Sequence, residues 1–100
     1  MLTEVPYGTA GSQRPDFYNP ELNKIIEVKN YNITTANGRG NLASNIAAQY
    51  NQRTNMFVGA DIEFRVDIYG QDYTNDMLSD LRSRISNLLG SSDMIKFIYS

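Results

Sequence analysis

The chain has 100 residues, a formal net charge of −2 and 41% hydrophobic content, which suits one small domain with a modest core. It holds no cysteine and no histidine, which excludes disulfides, thiolate or imidazole zinc sites, and Ser-His-Asp, Cys-His or imidazole-base catalysis. The charge balance argues against a broad phosphate-binding surface, although clustered basic groups or a bound divalent cation would offset it locally. No apolar run is long enough to cross a bilayer, and Met1-Leu2-Thr3-Glu4 lacks a basic stretch leading into an apolar one. Membrane partners are therefore not expected, and any secretion signal would lie outside these residues.

In chain order, residues 1–11 read as an extended N-terminal segment, with Val5-Pro6-Tyr7 as a short strand or arm. Residues 12–100 read as one domain. Ser12 to Tyr18 is a strand confined by Pro15 to an edge or a strand start. Asn19-Pro20-Glu21 is a turn. Lys24 to Tyr31 is the clearest strand, with Ile25, Ile26, Val28 and Tyr31 as β-formers. Residues two apart on a strand share a face, so Glu27 and Lys29 project together, with Val28 packing the other side. A hairpin at Asn19-Pro20 brings Asp16 beside Glu27.

Thr34 to Gly40 reads as a polar loop turning at Asn37-Gly38. Asn41 to Thr54 is a helix capped by Asn41, with Leu42, Ala43, Ile46, Ala47 and Tyr50 as its apolar stripe and Asn45, Gln49 and Arg53 opposite. Ile62 to Tyr69 has the cleanest period-two alternation. Asn75 to Leu89 is a second helix, with Met77, Leu78, Leu81, Ile85, Leu88 and Leu89 apolar and Gly90 at its end. Met94 to Tyr99 closes the chain as a strand. The order β-β-α-β-α-β specifies an α/β (α+β) domain, a small mixed sheet flanked by helices.

Two carboxylates and an ammonium converging on one spot suit metal-assisted phosphodiester hydrolysis. Asp16 and Glu27, with the Val28 carbonyl, would hold Mg²⁺ or Mn²⁺, which take hard oxygen ligands. Lys29 would position the attacking water and stabilise phosphate oxygens. The plainer reading leaves Asp16 opening a turn and Glu27 and Lys29 on a solvated strand face. Periodicity alone puts Gln49 and Arg53 on the solvated side of their helix. Set beside the Lys24 to Tyr31 strand, Gln49 would instead orient water or substrate and Arg53 would clamp a phosphate. Asp67 reads as a strand-end residue.

Ser12-Gln13-Arg14-Pro15-Asp16, Glu27-Val28-Lys29-Asn30-Tyr31, Gln49-Tyr50-Asn51-Gln52-Arg53 and Val66-Asp67-Ile68-Tyr69-Gly70-Gln71 together resemble the PD-(D/E)XK nuclease superfamily. The closer likeness is to its restriction-endonuclease-like toxin domains, found at the C-termini of bacterial polymorphic and contact-dependent growth inhibition toxins. The resemblance implies a restriction-endonuclease-like core and metal-dependent cleavage of tRNA, other RNA or DNA. It implies Asp16 and Glu27 as metal ligands, Lys29 as the catalytic lysine and Gln49 as an accessory catalytic residue. Ser12, Arg14, Asn30 and Arg53 fall on the substrate side, and Asp67 and Gln71 match family-like positions.

The superfamily core usually opens with a helix bearing a further acidic residue. Here only eleven residues precede Ser12, so Glu4 would substitute or the chain is a fragment of a longer toxin. The resemblance further implies secretion within that toxin, action in the cytoplasm of a target bacterium, and neutralisation by a cognate immunity protein. Its rivals are a non-catalytic binding module on a nuclease fold and a housekeeping DNA-repair or resolvase-type nuclease.

Overall fold

The computed structural model describes residues 3–4 and 16–99. The elements are β1 (Thr3–Glu4), β2 (Phe17–Asn19), β3 (Lys24–Lys29), α1 (Ala36–Met56), β4 (Asp61–Asp67), α2 (Asn75–Leu89) and β5 (Ile95–Ile98). β2 to β5 form a four-stranded mixed sheet in chain order, which the two-residue β1 extends beside β2. β2 and β3 are antiparallel, whereas β3–β4 and β4–β5 are parallel. A tight turn can join antiparallel neighbours, but parallel ones need a crossover. The chain supplies a hairpin for the first pair and a helix for each of the other two.

The hairpin turn is built by Asn19 and Asn23. The Asn19 side-chain oxygen accepts from the amides of Glu21 (3.0 Å) and Leu22 (3.3 Å), which explains why this polar residue is buried. Asn23 takes φ = 47°, a left-handed conformation that asparagine tolerates better than most side chains. The register Phe17↔Ile26 then carries the chain before Phe17 back alongside Glu27. Of the expected first strand, Phe17 and Tyr18 are in β2, Asp16 lies just outside it, and Ser12 to Pro15 lie outside the described residues.

Alternation along β4 sends Ile62, Phe64 and Val66 into the core and Glu63 and Arg65 to the opposite face. Parallel register pairs Ile25 with Ile62, Glu27 with Phe64 and Lys29 with Val66. Glu27 and Lys29 therefore share the core-side face. The core gathers Leu42, Ala43 and Ile46 of α1 with Leu81 and Ile85 of α2, and the helices pack on each other, so both cover that face. This corrects the expectation for β3: Val28 does not pack but is 41% exposed on the other side. The reading of Glu27 and Lys29 as a solvated face is likewise overturned.

α1 begins five residues before the expected Asn41. Thr35 caps it, accepting a hydrogen bond from the Gly38 amide at 3.0 Å. Asn37-Gly38 is thus the first helical turn and not a loop signal. Gly38 is required there by close approach, since a Cβ would stand 1.8 Å from the Asn32 carbonyl oxygen. Arg39 fastens the same end, donating to the Ile33 carbonyl (2.8 Å) and to Asp80 of α2 (2.6 Å). α2 keeps its expected bounds, with Thr74 as cap and Gly90 left-handed at φ = 84°. Leu81 and Ile85 are fully buried, but Leu88, expected on the apolar face, is 55% exposed.

Candidate functional site

The site forms where the hairpin brings Asp16 against the end of β3. The Asp16 carboxylate accepts from the Val28 amide at 2.8 Å. That bond fixes Asp16 beside the strand whose next residues carry Glu27 and Lys29 inward. Asp16 is close enough to act on both charges: it raises the pKa of Glu27 and favours the charged form of Lys29. Asp16, Glu27 and Lys29 thus come together as the residue pattern requires.

Arg53 completes the cluster in an unexpected role. Its Nε donates to Glu27 Oε2 at 2.8 Å, and both side chains are only 3% exposed. The helix face carrying Arg53 is turned onto the sheet, so the guanidinium serves as counter-ion to Glu27. The solvated-face reading of Arg53 is corrected accordingly. Burying a carboxylate this deeply demands a partner, and the helical spacing of Arg53 supplies one.

α1 crosses back over the sheet, so stepping from Arg53 to Gln49 follows β3 from Glu27 towards Lys29. Four helical residues cover about 6 Å, and two strand residues cover about 6.6 Å. Gln49 thus lies one turn from Arg53 along α1, in the direction of the β3 end. Its Oε1 and the Oδ1 of Asn45, one turn further on, are buried without a hydrogen-bond partner among the described residues. Asn45 is thus a buried polar residue on the same helical stripe as Arg53. Its signal was present as the polar run Asn45, Gln49, Arg53 at four-residue spacing, which the sequence left on the solvated side.

The electrostatics follow from burial. Burial pushes the Glu27 carboxyl up from its ordinary value; the Arg53 hydrogen bond and charge oppose this, while Asp16 adds to it. Burial also pushes the Lys29 ammonium down, with Glu27 and Asp16 pulling it back up and Arg53 pressing it lower. Lys29 makes no ion pair within 4 Å among the described residues. It is a nearly buried cation with a weakened hold on its proton, as suits a group that must answer a change of charge nearby.

The other expected site residues separate. Asn30 lies just past β3 and is exposed. Ser12 and Arg14 lie outside the described residues, as does the side chain of Glu4. Asp67 accepts from the Tyr69 amide at 3.0 Å, a strand-end turn on the opposite face. Gln71 is an internal brace: its amide bonds Tyr31 O at 2.7 Å and the Ile33 amide at 2.9 Å, tying the exit of β3 to that of β4.

A hard divalent cation needs several converging oxygen ligands. Among the described residues no three carboxylates come together. Asp16 and Glu27 nonetheless supply two interacting carboxylates. Oxygen-only ligands of this kind suit Mg²⁺ or Mn²⁺ chemically, because such ions need few protein ligands and retain waters. Compared with protein-family models, curated proteins and solved structures, the chain matches none.

Proposed function

We propose that this chain is a metal-dependent nuclease domain with a restriction-endonuclease-like core, acting as the effector end of an interbacterial toxin. The observation that supports it is the convergence of Asp16, Glu27 and Lys29 at the end of β3, coupled through their charges. Two carboxylates and a lysine are a sufficient set for hydrolysing a phosphodiester without histidine. Asp16, Glu27 and the Val28 carbonyl would hold Mg²⁺ or Mn²⁺, which when bound supplies neutralising charge and a more acidic water.

In this proposal Lys29 stabilises the negative charge that grows on the phosphate during attack. Gln49 orients the nucleophilic water or the substrate. Arg53 holds Glu27 ionised and in place through their 2.8 Å bond, and so acts on the reaction only through Glu27. Ser12, Arg14 and Asn30 remain the proposed substrate contacts. The partners would be tRNA, other RNA or DNA as substrate and a cognate immunity protein as inhibitor.

The deciding test offers the domain plasmid DNA, total tRNA and rRNA in parallel with Mg²⁺. Cleavage of at least one is expected, abolished by EDTA and by Lys29→Ala. Undiminished cutting in EDTA would overturn the metal role, and normal cutting by Lys29→Ala would overturn the site. One observation favours a second reading, a non-catalytic module on the same fold. Glu27 is 2% exposed and already satisfied by Arg53, as a purely structural ion pair would be. That reading predicts no cleavage of any of the three substrates.

A further inference from the structure

The face of the sheet away from the helices carries a second charged cluster that the proposed chemistry does not use. Its centre is Glu63, 6% exposed. Three cations from three strands converge on it: Arg65 Nε on one carboxylate oxygen, and on the other Lys96 at 3.3 Å and Lys24 at 3.7 Å. Lys24 is also held by Asp61 at 3.1 Å. Burial pushes the Glu63 carboxyl up, but the hydrogen bonds from Arg65 and Lys96 outweigh it, and the group stays ionised below its ordinary value.

A buried carboxylate beneath exposed cations fixes the cations and leaves their outer donors turned to solvent. Arg65 spends its Nε on Glu63, and its two Nη groups have no hydrogen-bond partner among the described residues. The Arg65 side chain is 41% exposed and that of Lys96 68%. The two are register partners on adjacent strands, about 4.8 Å apart along the hydrogen-bonding direction. A guanidinium edge beside an ammonium at that spacing is a natural cradle for a phosphate group.

The position of the pair matters as much as its chemistry. Arg65 pairs in register with Val28, the residue whose amide holds Asp16. The row Val28–Arg65–Lys96 therefore runs across the sheet from β3, on the face opposite the one onto which Glu27 and Lys29 project. The other arginines of the helical side are committed elsewhere: Arg39 and Arg84 to Asp80, and Arg82 to the Ser92 carbonyl and the Phe97 ring.

We infer that Arg65 and Lys96 form a phosphodiester-binding row that anchors a nucleic-acid strand on the face of the sheet away from the helices, where both side chains are exposed. This rests on the nuclease reading for the identity of the polyanion. Because the row would contact phosphates and no base edges, it holds RNA and DNA of one sequence alike.

The test is fluorescence anisotropy with a labelled single-stranded oligonucleotide, as matched RNA and DNA, in EDTA so that nothing is cut. Parent, Lys96→Gln and Arg65→Gln/Lys96→Gln are titrated at several salt concentrations. Affinity of the double variant is expected to fall about tenfold, and the log–log salt slope to shrink by about 0.7 per cation removed. Lys96→Gln alone guards against misfolding, since Arg65 and Lys24 still hold Glu63. Unchanged affinity and slope in both variants, or a parent that binds neither oligonucleotide, would overturn the row. Binding that follows this pattern without any cleavage in Mg²⁺ would leave the row standing and sink the nuclease reading alone.

Discussion

Glu27 and Glu63 sit on neighbouring strands one register step apart, and both are almost fully buried. Yet Glu27 is pushed above its ordinary pKa and Glu63 held below it. The faces differ in how the surrounding cations are supplied. On the helical face Glu27 has one hydrogen-bonded guanidinium, a neighbouring carboxylate and a lysine that forms no ion pair within 4 Å among the described residues. On the open face three cations reach Glu63 and remain partly in water. A carboxylate served by several half-solvated cations keeps its charge cheaply; one enclosed with a single partner keeps it under tension. A carboxylate so placed, beside a second carboxylate and a lysine, is a functional-site candidate.

The largest effect that would break this comparison is expected at Arg53. Arg53→Leu strands a buried carboxylate and should cost about 3–5 kcal/mol by urea denaturation. The double change with Glu27→Leu should recover most of it, since an apolar pair needs no counter-charge. If Arg53→Leu alone is nearly neutral, Glu27 is not under the tension described.

Next in size is Lys29→Ala, expected to lower single-turnover cleavage by about 100-fold or more with little change in substrate affinity. Lys29→Arg should not rescue it, because a planar guanidinium cannot replace a compact ammonium that sheds its proton more readily. Gln49→Ala should retain measurable activity. Melting curves must accompany these assays, and a loss explained by unfolding would return Lys29 to a structural role.

A smaller effect is expected at Glu63→Gln, about 1 kcal/mol, because its three cations remain partly in water without it. Its pH dependence has a definite sign. The folded pKa lies below the ordinary 4.5, so Glu63 contributes stability above 4.5 that is lost as pH falls through the lowered folded value. Thermal melts through that acid range should decline less steeply for Glu63→Gln than for the parent.

The smallest effect is expected for Lys29→Met, which keeps the volume and removes the charge. The folded pKa of Lys29 lies below 10.5, so its buried charge costs stability below that lowered value, and the cost is relieved as pH rises towards 10.5. The variant should therefore melt slightly above the parent at neutral pH, with the advantage shrinking on the alkaline side. A constant difference across that range would show that charge burial is not the cause.

The sequence by itself determined the elements whose causes are local. Asn19-Pro20-Glu21 marks the hairpin, alternation from Ile62 marks β4, and the apolar spacing from Met77 to Leu89 with Gly90 after it marks α2. The hairpin also put Asp16 beside Glu27, because a short turn leaves the chain no other place to return. Tertiary structure alone decided which side of β3 the helices cover. Period two separates Glu27 and Lys29 from Val28 but is silent on which set lies inside. It likewise decided that Arg53 faces the sheet, since a polar stripe has no preferred side until an opposite charge is buried against it. At Asn37-Gly38 the turn signal was misleading for a local reason: Thr35 caps the helix there, and the glycine is needed for the close approach of the Asn32 carbonyl.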